Sequence, residues 1–588
     1  MTLHRREEHA AQHRGHASIS KQRVEALEDR LAVLESMLRQ KTRTSTPPQL
    51  ALGAQGSSPT PPFRQISGRF ALWKREECTK VLTRTALSPL TAEASELHMV
   101  EESLDNVCAE LPFLCIPWFR EQIRRPDAVH VPDAWWQGLT YATIASAAHF
   151  RTLNSCFRDL AVYAWAFFRN AYAVLPELLL RGDSLGAAQA VMAMAMFVRQ
   201  STDTRTTSLL LSIAIRMQHS AGLHVKTTSE TILPPAEVEN RSRLLWAAFI
   251  LDMDISVNSG LPPVHADQGV TLDLPGLQDG GQQDMVFRLR AELAGIQRRI
   301  GSQLFNLSQA DLLVLESELG AWSLRVPLEI RPNLHDQQES SSNHQAADVS
   351  VAMLHLVYYN SLAMVCWASL RHAKMQMLES PQATDSDIHG LTSRPTSIAR
   401  AAARAAISSL LRFPTESFAD LWKALCYPVS ASIVLLAVVC KEPTHPEARG
   451  DLSLLARFVE FLDKMVRDEG CDLQRMRDGI STFEKVATHA VRAALGSDMP
   501  VNPALWPLSM ASGQTGNAIA KLLTCTSYHP MYLTQSFMGN TPNRDTDNAK
   551  QLAAILGLSW GKNGYGPFAP DSLMPATHGF AFGSGSPE

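Results

Sequence analysis

From about Phe70 onward, apolar residues recur three and four positions apart, and strand-like alternation is scarce. The helical spacing runs through 134–150, 155–180, 184–200, 206–221, 237–258, 284–304, 309–326, 347–375, 396–413, 417–440, 449–468 and 475–495. Between these stretches stand short breaks of the helix–helix type, RGD from Arg181, LPP from Leu233 and again from Leu261, and KEPTHPE from Lys441. The pattern predicts an all-α fold. Its repeating units share no period of about 34 or 40 residues, which favours one irregular multi-helix domain over 70–500 rather than a regular solenoid. Within it, 335–348 and 378–395 are polar and predicted to be mobile internal loops.

At 588 residues the chain is long enough for a large core. Its net charge of −4 supplies no general basic field, so contact with nucleic acid would have to come from a local patch. The nine cysteines stand without close pairing, unlike a disulfide framework, and read as reduced thiols. Two stretches invite a membrane reading. Ala424–Cys440 is uncharged, but Pro428 interrupts it and it is shorter than the roughly 20 residues of a span. Val351–Leu370 has the length but carries His355, Asn360 and two tyrosines. Both are predicted to be buried core helices, with no membrane contact.

Ahead of the helical region the chain falls into three parts. Residues 1–18 are polar and predicted to be disordered. In 19–41, Val24, Leu27, Leu31, Leu34 and Leu38 are spaced three, four, three, four, the seam of a short coiled coil with charged residues on its other faces. Ser20 can cap this helix, and the run up to Pro48 stops it. So short a helix is marginal alone and needs a partner over its seam, a second copy or another protein. The alternative is an amphipathic helix lying on its own domain. Residues 42–69 are rich in Pro, Ser, Gly and Thr and read as a linker. The tail, 501–588, is Gly/Pro/Ser-rich with scattered aromatics and is predicted to be mostly disordered.

No motif of catalysis stands out. G-x-S-x-G, the phosphate-binding G-x-x-x-x-G-K-[ST], H-E-x-x-H and C-x-x-C are all absent. Cys108 and Cys115 have a spacing used by zinc clusters, but they stand in the apolar CAELPFLC with no basic residues around them. His4, His9, His13 and His16 cluster loosely where nothing would fix a coordination geometry. Asp252 and Asp254, two apart on a predicted helix, point in different directions and make no acid–base pair. Neither an enzyme nor a metal site is expected in this chain.

The stretch RSRLLWAAFILDMDISVNSGLPPVHADQGVTLDLP from Arg241 resembles the signature of the fungal-specific transcription factor domain, the middle homology region of zinc-cluster regulators. The matching positions are Arg241, Arg243, Trp246, Asp252, Ser256, Gly260, Pro262, Asp267, Leu274 and Pro275. Upstream, LLLSIAIRMQHSAGLHV resembles another helix of that family through Ala214, Arg216, Met217, Gly222, Leu223 and His224. Downstream, LHLVYYNSLAMV looks like its Leu-His-x-x-Tyr helix, and QRVEALEDRLAVLESMLRQ like the coiled coil that follows the zinc cluster. The four segments also stand in the family's order.

The resemblance implies an all-α regulatory domain and a nuclear transcriptional regulator, with control of a biosynthetic gene cluster a common setting. It implies a homodimer, or a heterodimer with a zinc-cluster regulator, that reaches DNA directly or through that partner. A small-molecule effector fits the family, as does the alternative of a helical sensor or scaffold acting on a DNA-binding partner. No cofactor is expected in this chain. Zinc would enter only with a cluster encoded upstream of Met1, since the 18 residues before Ile19 hold no cysteine. Two arginines of the pattern are replaced, by Met253 and Leu261, which predicts a loop after the helix held by packing instead of charge. Gly222 and Gly260 suit left-handed helix ends, Trp246 a core anchor, and Arg216, Arg243 and Asp252 a partly buried ionic network.

Overall fold

The computed structural model describes residues between Leu104 and Leu495, with interruptions that include 125–132, 151–156, 226–234, 266–272, 276–280, 335–347, 380–384, 414–417 and 469–472. The coiled-coil seam, the linker, the tail and Gly260 lie outside the described residues. Among those described, every regular element is helical and none is a strand.

The first helices are α1 (Ile116–Ile123), α2 (Ala134–Phe150), α3 (Phe157–Ala173), α4 (Leu175–Arg181), α5 (Leu185–Arg199) and α6 (Thr204–Ser220). The spacing predicts a single helix over 155–180, but the structure breaks it at Val174, and α4 restarts with Pro176 in its first turn. A proline is tolerated there because the N–H it lacks would have no intrahelical partner. Helix α2 packs on α3 and α5, and α5 on α6. Ser184 caps α5 by accepting the Ala187 N–H at 3.2 Å, and the helix is buried from Ala187 to Val198 except at Gln189. A helix apolar on all sides belongs inside a core, here one in which Phe168 stacks on Phe197 at 4.6 Å between ring centres.

The second set follows a long helix, α7 (Pro235–Ser259). It comprises α8 (Gln282–Gln303), α9 (Gln309–Arg325), α10 (Val349–Glu379), α11 (Asp385–Leu411), α12 (Phe418–Ala424), α13 (Cys426–Lys441), α14 (Ala448–Asp468) and α15 (Gln474–Ala494). Ser308 and Asp311 form a capping box at the start of α9. Helix α13 is buried from Tyr427 to Cys440, with Pro428 in its first turn, and α10 packs along α11. Val349–Leu370 in α10 is long and apolar enough to cross a membrane, yet 78% of that window is buried within the second core.

One expectation is corrected. The polar run 378–395 is not wholly loop, because α11 begins at Asp385 and passes through Pro395. Local support explains the persistence of this helix. Thr396 Oγ1 donates to the Thr392 carbonyl at 2.6 Å, Lys441 Nζ reaches Thr396 Oγ1 at 2.9 Å, and Arg394 pairs with Glu316 of α9. Tertiary contacts here outweigh a composition of poor helix formers.

Candidate functional site

Helix α7 joins the two cores. Pro235 begins it, Glu237 sits in its first turn, and Glu237–Arg241 and Glu239–Arg243 pair four residues apart, the Glu-before-Lys/Arg order that suits a helix. Leu244, Ala247, Ala248, Leu251 and Ile255 enter the first core, while Val257 enters the second. Trp246, Phe249, Ile250 and Met253 pack with Ala291 and Ala294 of α8 between them. The Trp246 indole donates to the Asp273 carbonyl at 3.0 Å, so its polar edge is satisfied within an apolar setting. Gly301 brings α8 against α7, since a Cβ there would meet Ser256 Oγ at 2.5 Å.

The end of α6 shows why a glycine follows it. Gly222 has φ +73°, its N–H reaches the His219 carbonyl at 3.1 Å, and Leu223 N–H reaches Gln218 O at 3.0 Å. This is a Schellman motif, whose left-handed residue favours glycine. It turns buried Leu223 inward and places His224 beside His219, with ring centres 4.9 Å apart.

The loop after α7 differs from expectation. Asp252 accepts the Val264 N–H at 2.9 Å and the His265 N–H at 2.8 Å, and its Oδ2 lies 2.9 Å from His265 Nδ1. Ser256 Oγ donates to the Leu261 carbonyl at 2.6 Å. The loop is therefore held by charge-assisted hydrogen bonds, with the replaced arginines answered by a carboxylate on the helix. Pro262 is exposed on its outer side. Nor do Arg216, Arg243 and Asp252 share an ionic network. Arg216 is exposed, and Arg243 binds Glu239 and Asp284, each at 2.7 Å.

Asp254, two residues on, faces elsewhere. Its Oδ2 accepts Arg199 Nη2 from the end of α5 at 3.2 Å and also Arg290 Nη2 of α8, while Oδ1 has no hydrogen-bond partner among the described residues. Burial opposes the Arg199 charge most strongly, but Asp254 together with Tyr427, Glu110 and Cys426 outweighs it, so the Arg199 pKa lies above its ordinary value. Arg199, Arg290, Arg243 and Lys423 line a cavity of about 600 Å³ between the N-terminal turns and helices α5, α7, α8, α10 and α12. Lys423 is held by Glu110 and, at 2.6 Å, by Asp420. Sequence reading missed Arg199 and Arg290 because they lie 55 and 36 positions from Asp254 and carry no motif. Among the described residues no group of three or more His, Cys, Asp or Glu is arranged to hold a metal ion.

With this geometry in place, similarity to known proteins can be set beside it. Residues 112–313 match the fungal specific transcription factor domain. An ABC-transporter-regulating transcription factor of Aspergillus fumigatus is 30% identical over 451 residues, covering 71% of this chain and 49% of the relative. The protein of the same description in Aspergillus oryzae is 29% identical over the same shares. The Fusaridione A cluster transcription factor of Fusarium heterosporum is 24% identical over 65% of this chain and 74% of its own length. The relatives are fungal transcription regulators, and the chain spans about half the length of the two from Aspergillus. The matched segment runs from α1 into α9 and contains the whole of α7.

The histidines beside the loop give a pH dependence. Burial, with His265 and His224 close by, pushes the His219 imidazole down from 6.5 to about 4. A depressed histidine leaves the folded chain binding fewer protons than the unfolded chain between these values. Stability contributed by neutral His219 is complete above about pH 6.5 and falls as the pH drops toward 4. His219→Gln is expected to flatten that part of the profile, measured as melting temperature against pH. An unchanged slope would mean that His219 is protonated freely in the folded state.

Proposed function

We propose that the chain is a nuclear regulator of transcription that carries no catalytic activity. The observation that carries this reading is the match of residues 112–313 to the fungal specific transcription factor domain, in a chain whose similar proteins regulate transcription. By analogy with the fusaridione relative, its targets are the genes of a biosynthetic cluster. It pairs through Val24, Leu27, Leu31, Leu34 and Leu38, with itself or with a zinc-cluster regulator, because a seam of this length gains stability only when covered.

The first 43 residues carry nine Lys or Arg against six Asp or Glu, an excess too small to neutralise many phosphates. DNA is accordingly reached mainly through the partner. A second reading, a ligand sensor that acts on such a partner, is favoured by the cavity of about 600 Å³ beside α7. That volume falls within the range of about 300–1,000 Å³ typical of small-molecule sites.

Two measurements test the pairing scheme. Residues 1–588 should bind duplex DNA weakly, without sequence preference and with a shallow salt dependence, in fluorescence anisotropy. Nanomolar, sequence-selective binding would show that the chain reads DNA by itself. Charging the seam with Leu27→Glu and Leu34→Glu should abolish self-association or capture of the partner in sedimentation velocity, and an unaltered distribution would remove the coiled coil from the mechanism.

A further inference from the structure

The cavity beside α7 has an uneven charge arrangement. Arg243 lies between Glu239 and Asp284, and Lys423 between Glu110 and Asp420, so each of these cations meets two carboxylates. Arg199 and Arg290 are the exception, because both approach the same oxygen of the single carboxylate Asp254. Two guanidinium groups thus share one directly bound carboxylate, with Glu110 the next acid acting on Arg199. A guanidinium has five N–H donors. Among the described residues Arg199 uses one on Asp254, and Arg290 uses one on Asp254 and another on the Met353 carbonyl at 3.5 Å. Both side chains are largely buried and both line the cavity, which is partly open to solvent, so their remaining donors are within reach of a ligand that enters it.

The rest of the lining limits what could sit there. Leu114, Met196, Ile250, Phe287 and Met353 give the cavity an apolar wall. Glu110, Glu239 and Asp284 on the same lining would repel a second negative charge. We propose that this cavity binds a small amphipathic monocarboxylate, with its carboxylate on Arg199 and Arg290 and its apolar body against that wall. A dianion such as a phosphate monoester meets the three acids, and a neutral apolar molecule leaves the guanidinium donors unfilled. The site also suggests how occupancy reaches the fold. Its two arginines end α5 and sit on α8, and Asp254 of α7 links them, so a carboxylate bound there competes with the contact that joins the two cores.

This inference rests on the sensor reading and names its ligand class. The test compares 2-naphthoate with the nearly isosteric, uncharged 2-naphthamide by isothermal titration calorimetry on the full chain. Naphthoate should bind at one saturable site, with the amide weaker by about tenfold or more, the size of one charge-assisted interaction. Arg199→Gln, at the rim of the Asp254 contact, should erase the difference between the two probes. Equal binding of both probes, no saturation by naphthoate up to millimolar concentration, or a preference that survives in folded Arg199→Gln would each overturn the proposal. If the variant does not fold, the two probes on the unaltered chain decide the question alone. Because binding is read directly, a chain that takes naphthoate yet shows no ligand-dependent regulation keeps the site and loses only the sensor role.

Discussion

A single carboxylate, Asp254, stands between Arg199 at the end of α5 and Arg290 on α8, with its side chain 3% exposed. Removing three charged groups from water costs several kcal/mol for each ion, so the cluster persists only while Asp254 stays in close contact with both guanidinium groups. It joins a helix of the first core to a helix beside the second, through a residue of α7, which belongs to both. Around it the other contacts of α7 fall into place. Trp246 fixes the segment at Asp273, Asp252 and Ser256 fix the loop at 261–265, and Asn258 accepts from Asn360 of α10 at 2.9 Å. An apolar helix could have filled this position. What the buried polar residues add is a set of directional contacts from α7 to α5, α8 and α10 that apolar packing alone would lack.

Much of the fold was readable because apolar spacing records which face of a helix is buried. The apolar runs of α10 and α13 marked the interior correctly, and Pro428 and His355 argued well for core helices over membrane spans. Breaks were less legible. The prolines at 176 and 395 look alike in sequence, yet one restarts a helix and the other lies within one, since the difference is made by contacts with distant helices. The signature residues tell the same story. Gly222 could be assigned to a left-handed helix end from its position, because that requirement is local. Arg216 and Arg243 could not be given partners, because partners come from packing. The cluster at Asp254 was invisible for that reason, and Asp252 was joined to the wrong neighbours.

The site and the family fit together in physical terms. The segment shared with fungal transcription regulators, 112–313, contains both α7 and the residues that meet it from α5, α6 and α8. Within this chain the matched segment fastens two helical cores around one buried helix. A junction of this type suits regulation, because a modest change at its polar contacts alters how two large bodies hold together.

Hydrogen exchange of Asp254→Asn tests the junction most directly. Replacing the carboxylate leaves two buried guanidinium groups without their counter-charge, a loss of about 3–5 kcal/mol when a buried pair is broken. Amides of α5, α7 and α8 should lose protection together, while those of α14 and α15, far from the cluster in the packing order, should change little. Unaltered exchange in α5 and α8 would show that apolar packing alone joins the two cores and that the shared carboxylate is incidental.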